Sequence, residues 1–161
     1  MITDRRSQIL NRLQAILGEV IADIAGTPAP LVFRNRDQIP PDKLPAMLLL
    51  DGIEDTVLTK KSPRGGPSSS IMALKPEIFA LLKHKPLESE SAYAPEMNAY
   101  RNAIYVRIMF DAQLLNIMGD NGGIEYRGFQ TDMQTGRSMW GELQLFFIFH
   151  YPLIPSELQE V

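Results

Sequence analysis

The amino-acid sequence predicts an α+β fold: a two-layer sandwich, with two helices packed on one face of a mixed or antiparallel β-sheet and a long β-hairpin arm. Three observations carry this. The first 25 residues hold an apolar stripe at spacings of three and four, the last strand-like stretch alternates strictly, and two strand-like segments flank KKSPRGGPSSS at 60–70. Periods of 3.6 and 2 in one chain, without a repeating βαβ order, point to segregated helical and sheet layers.

Taken in order, residues 4–25 place Ile9, Leu10, Leu13, Ile16, Leu17, Val20, Ile21 and Ile24 on one helical stripe. Thr3 and Asp4 are the expected caps, Gly26 and Pro28 the stop, and Arg5, Arg6, Arg12, Glu19 and Asp23 fall mostly on the wet face. The short run LVF at 31–33 leads through RNRD and a turn-like IPPDKLP to AMLLLDG at 46–52, a buried strand ended by Asp-Gly. Segments 53–59 and 71–82 are strand-like, which makes about 56–72 a hairpin arm. Pro76 cannot donate to a ladder, so it implies an edge or a bulge there.

Residues 83–94 form a polar loop. Pro95 suits the first turn of a second helix running to about Met118, with Gly119 as its stop and GDNGG as a turn. Strands follow at 124–133 and 138–151, joined by a hairpin-sized QTGR. In the last strand Met139, Gly141, Leu143, Leu145, Phe147, Phe149 and Tyr151 face one way. Trp140, Glu142, Gln144, Phe146, Ile148 and His150 face the other, a mixture too apolar for plain exposure and expected to be covered by another layer or a neighbouring subunit. The order is α-β-β-arm-β-α-β-β in a single domain, 1–161, without an internal repeat.

Bulk properties narrow the function classes. Apolar residues make up 45% of the chain and charged residues 22%, as in a folded globular protein. Net charge is −3, so the basic excess of a protein living on duplex DNA is missing. Cysteine is absent, which removes disulfides, thiolate metal sites and cysteine nucleophiles. The polar start MITDRRSQIL lacks the apolar core of a signal peptide, and LQLFFIFHYPLI is interrupted by Gln144 and His150 short of the ~20 residues a span needs. A soluble protein without a membrane partner is expected.

Candidate chemistry is sparse. In KKSPRGGPSSS the lysines precede the glycines and a strand follows, whereas a phosphate-binding P-loop needs Gly-Lys-Ser/Thr opening a helix. Lys60, Lys61 and Arg64 form a basic cluster without interleaved aromatics, which fits a solvated hairpin tip or a weak, salt-sensitive contact. Asp51, Glu54 and Asp55 could hold a hard cation but read more simply as a solvated strand end. His84 and His150 have no suggestive neighbours, and neither GxSxG nor HExxH occurs. No catalytic residue, cofactor or metal ligand is assigned, and an enzyme is not expected. What remains is the half-apolar second face and the arm, the features of an assembly component.

The order of signals resembles the tail terminator (tail completion) proteins of long-tailed bacteriophages, in the broad lambda-like sense. The resemblance is carried by DRRSQILNRLQAIL, then Arg34-Asn35-Arg36, LPAMLLLDG, a Gly/Ser-rich interruption and MALKPEIFALL. It continues through the helix EMNAYRNAIYVRIMFDAQLL and the paired ending GIEYRGFQTD and ELQLFFIFHYPL. It covers most of the chain and rests on ordering, without an invariant motif.

The resemblance implies a virion protein at the head-proximal end of the tail, made in the host cytoplasm. It would form a ring, typically a hexamer, that caps the tail tube, ends polymerisation of the tube protein and receives the head-completion connector. DNA would pass through the lumen without sequence-specific binding. Expected partner contacts are Trp140, Phe146 and Ile148 on the second face of the last strand, and Lys60, Lys61 and Arg64 on the arm. Burial of the first group under the subunit's own loops is the alternative. Rival readings of the whole chain are a neck or head-completion protein contacting portal or DNA, and a small-molecule-binding α+β domain.

Overall fold

A computed structural model describes residues 4–26, 31–83, 94–133 and 141–158. Helix α1 (Arg5–Ala25) opens where the Asp4 carboxylate accepts the Ser7 amide at 2.7 Å, and closes at Gly26 in the left-handed region. Strands β1 (Val32–Arg34), β2 (Ala46–Lys60) and β3 (Ser69–Leu82) follow, then helices α2 (Ala94–Met109) and α3 (Ala112–Met118), and strands β4 (Gly123–Met133) and β5 (Gly141–Leu153). The strands form one mixed sheet in the order β1-β2-β3-β5-β4, parallel only between β1 and β2. This is the expected two-layer α+β sandwich, with three α-helices among the described residues.

The core lies between the helices and one sheet face. Ile9, Leu13, Leu17 and Ile21 of α1 are wholly buried against Met47, Leu49, Leu74, Ile78, Leu145 and Phe149. The period-3.6 stripe of the helix and the period-2 rows of the strands meet there, and each fully buried aliphatic side chain contributes about 1.5–3 kcal/mol. An aromatic row ties the far edge to the helices. Tyr105 of α2 meets Tyr126 of β4 edge to face at 5.0 Å, and Tyr126 lies 5.2 Å from Phe147 of β5.

Two local expectations are corrected and a third is narrowed to one of its two alternatives. The helix over 95–118 divides at Phe110–Asp111, because the Asp111 carboxylate accepts the Leu114 amide at 2.8 Å and so caps a new helix. Arg12 of α1 grips the same carboxylate at 2.7 Å, fixing the break against the first helix. Next, Asp51-Gly52 does not end its strand. β2 runs through it as a bulge, since the register steps from Leu50↔Glu77 to Ile53↔Lys75. Finally, Pro76 is not at an edge: β3 lies between β2 and β5. The bulge alternative holds, because Pro76 sits opposite the irregular stretch of β2, where its missing N–H is tolerated.

Gly52 makes that bulge possible. Its φ is +67°, and a Cβ there would overlap the Lys75 carbonyl and the Pro76 backbone. Gly26 shares the same φ but faces open space. Gly52→Ala is therefore expected to cost more than ~2 kcal/mol and Gly26→Ala only about 1 kcal/mol. Paired urea denaturation curves check this, and equal costs would overturn the role given to the bulge.

Candidate assembly surface

Alternation sends every second residue of the sheet to the face away from the helices. Cross-strand rows such as Asp55–Ala73–His150–Gly123 and Leu50–Glu77–Phe146–Gly128 lie on this outer face. At one end the segment between β1 and β2 folds over it. Ile39 and Leu44 are buried there with Ala46 and Leu81, backed by Phe33, Leu48 and Phe79. The Arg36 guanidinium stacks over Phe33 at 5.2 Å, and a groove of about 610 Å³ runs between this segment and the sheet.

Beyond that end the outer face is partly exposed. Phe146 is 36% exposed and Ile148 half-buried. They stand among the Lys75–Asp55 pair at 3.0 Å and the His150–Glu125 contact at 3.2 Å. Self-coverage thus reaches the Leu81 end of the sheet, and Phe146 keeps a surface towards solvent. Trp140 and His84 lie outside the described residues.

The hairpin differs from a free-standing arm. β5 accompanies β3 as far as Ser70↔Leu153, so one flank of the arm is held by the sheet. On the other flank β1 covers only Met47, Leu48 and Leu49. Beyond that point Ile53, Val57 and Leu58 are 64%, 58% and 51% exposed. The tip, 61–68, contains a turn closed by the Gly65 amide on the Ser62 carbonyl at 3.2 Å. Lys60, Lys61 and Arg64 are all exposed there, about 60 positions away in sequence from β4, and the structure places them apart from Phe146 and Ile148.

Polar contacts fix the root of the hairpin. The Arg34 guanidinium donates to Asp51 at 2.7 and 3.0 Å and to the Asn11 side-chain oxygen of α1 at 3.0 Å. Asn35, at φ +52°, accepts the Asp51 amide on its side-chain oxygen at 2.9 Å. Three residues further along β2, the buried Tyr151 hydroxyl donates to Glu54 at 2.7 Å, and Arg6 approaches the other oxygen of Glu54 at 3.1 Å. Burial, and then the Glu54 carboxylate, push the Tyr151 phenol well above its usual range.

Asp51, Glu54 and Asp55, the acidic group of the sequence, are thereby divided among three different cations, Arg34, Arg6 and Lys75. They are structural ion pairs at a strand root and do not converge on one point. Among the described residues, no group of three or more acidic or histidine side chains is placed to hold a metal ion.

Sequence reasoning missed two exposed apolar features. The sequence pattern gives Val57 and Leu58 only as strand residues, and Phe110, 74% exposed at the break between α2 and α3, only as part of a helix. The signal for the first was available: a strand next to a turn with adjacent large apolar residues breaks alternation, which marks a bulge.

The hydrogen bond from Arg34 holds the Asp51 carboxyl below the usual carboxylate range, against the opposing effect of burial. A depressed folded-state pKa gives stability that is fully present above the unfolded value of about 4 and is lost as pH falls through the folded value. Melting temperature should therefore drop below pH ~4 in the wild type, and the Asp51→Asn variant should lose less over the same window. Thermal melts from pH 7 to pH 2 test this, and parallel curves would refute it. Comparison of the chain with protein-family models and with curated proteins finds no match.

Proposed function

We propose that this chain is a structural subunit of a closed, typically hexameric ring at the head-proximal end of a long phage tail. There it ends growth of the tail tube and offers a surface to the head connector. The observation that carries the assembly part of this reading is the two-sidedness of the sheet. One face is sealed by α1, α2 and α3, while the other keeps Phe146 and Ile148 partly open beside an exposed strand edge. A closed ring needs two different surfaces on each subunit, each meeting the other on the next copy. The placement in a phage tail is supported by the order of sequence elements, and the α+β sandwich agrees with the fold that order implies.

In this reading Lys60, Lys61 and Arg64 at the hairpin tip reach a neighbouring subunit or the tube protein, and Phe146, Ile148 and Trp140 meet the adjacent subunit. No helix among the described residues is long and apolar enough to cross a membrane. The basic tip also favours a second reading, a neck or head-completion protein that touches DNA, because three clustered cations give a weak salt-dependent contact.

Light scattering after size exclusion, with negative-stain images of the pure protein and of the protein mixed with tail tubes, separates the two. A ring, free or on the tube end, is the expected result. A monomer on tube ends and in solution alike, binding duplex DNA in a salt-dependent way, would replace the ring by the neck reading.

Replacing 61–68 by Asn-Gly should leave the melting temperature within a few degrees, since Lys60↔Ser69 is the last ladder pair and a two-residue turn closes it. The same variant should assemble tails poorly. A protein that unfolds would show the tip to be part of the core.

A further inference from the structure

We propose that the free edge of β2, from Gly52 to Lys60, pairs with the outer edge of β4 in a second copy of this chain, so that the sheet continues from subunit to subunit. This deepens the ring reading and rests on it. Beyond Leu49 no described strand lies against the outer side of β2, and β4 ends the sheet on its other side. An unpaired edge of this length presents its N–H and C=O groups as a template for another strand. This edge carries charge at Asp55 and Lys60 and bulges at Gly52 and Val57, yet it also exposes Ile53, Val57 and Leu58, an apolar row that a further strand would cover.

Strand direction selects the partner. β2, β3, β5 and β4 are antiparallel at each step, so β2 and β4 run in opposite directions. A copy rotated about an axis along the strands brings its β4 antiparallel to β2 and extends the same alternation without a break. The contact joins two different edges, which is the condition for a ring. Pairing of β2 with another β2 would use one edge twice and stop at a dimer.

The irregularities of the two edges also match. Each carries one extra residue near its middle, Val57 between Thr56 and Leu58, and Arg127 between Tyr126 and Gly128. With Leu58 opposite Glu125 of the second copy, Asp55 falls opposite Gly128, and outer-face residues meet outer-face residues on both sides of the bulges. Lys60 then falls opposite Gly123, beside the exposed Asp120, so the basic tip of one copy lies at an acidic corner of the next.

Because the chain contains no cysteine, Leu58→Cys and Glu125→Cys introduce unique thiols. Directly opposite residues bring Cβ atoms within about 4.5–5.5 Å, close enough for oxidation or a short bis-maleimide to join them. Mixing the two single variants should give a linked dimer that neither forms alone, and the double variant should give a ladder ending at the ring. Leu58→Cys linking to itself, or rings without any link, would overturn the pairing. In the latter case the ring reading survives. A ladder that never closes would keep the edge contact and count against the closed ring.

An independent arm uses Leu58→Lys, which adds charge to the edge at a position that is 51% exposed. The melting temperature should be unchanged and assembly reduced at least tenfold. Undiminished assembly would overturn the proposal.

Discussion

The hairpin root, where β2 bulges over Pro76, is the constraint on which the rest of the sheet depends. A proline in a central strand removes one ladder donor, and the neighbouring strand must give way there. Gly52 gives way by entering the left-handed region with its α-carbon against the Lys75–Pro76 backbone. Asp51, turned out of the ladder by the same bulge, becomes the anchor for Arg34 and Asn35, and through Arg34 for Asn11 of α1. One local irregularity thus ties β1, β2 and the first helix together. It also marks the place where β1 stops covering β2, and the free edge begins there.

From that point the two faces of the sheet have different fates. The helix-facing rows are mostly aliphatic or aromatic, and burying them against α1 and α2 stabilises the subunit by itself. The outer rows mix Phe146 and Ile148 with Lys75, Asp55, Gln144 and His150, so their apolar residues are too interrupted for a second core. At the Leu81 end the chain supplies its own cover with Ile39 and Leu44. Coverage stops where Glu77 and Phe146 begin, since Glu77 is exposed and its charge is hydrated at little cost only when left open.

The ion pairs divide in a similar way. Arg12–Asp111 and Arg34–Asp51 join elements distant in sequence, are partly buried, and each fixes a helix break or a strand root. Arg107 with Glu19 and Asp23 spans α1 and α2 on an exposed face, where screening leaves about 0–1 kcal/mol. The first kind sets geometry; the second adds little beyond solubility.

The sequence by itself determined the layers of this protein. The 3.6-residue stripe of Ile9 to Ile24, the alternation of Leu143 to Tyr151 and the Pro/Gly/Ser composition of 61–68 are local patterns, and local sterics and hydropathy suffice to read them. It also put Phe146 and Ile148 on the second face, because period two assigns faces without knowing the neighbours, and Lys60, Lys61 and Arg64 on a solvated tip, because Pro, Gly and Ser mark the turn. Only the tertiary structure decided the rest. That Pro76 is central, that Asp51-Gly52 bulges where a turn was expected, and that Asp111 caps a second short helix depend on which strand or arginine lies across from each. Such partners are 15 to 100 residues away, as Arg34 is from Asp51 and Arg12 from Asp111. The free edge of β2 is of the same kind: an edge is defined by the strand that is not beside it, and strand order is a property of the assembled sheet.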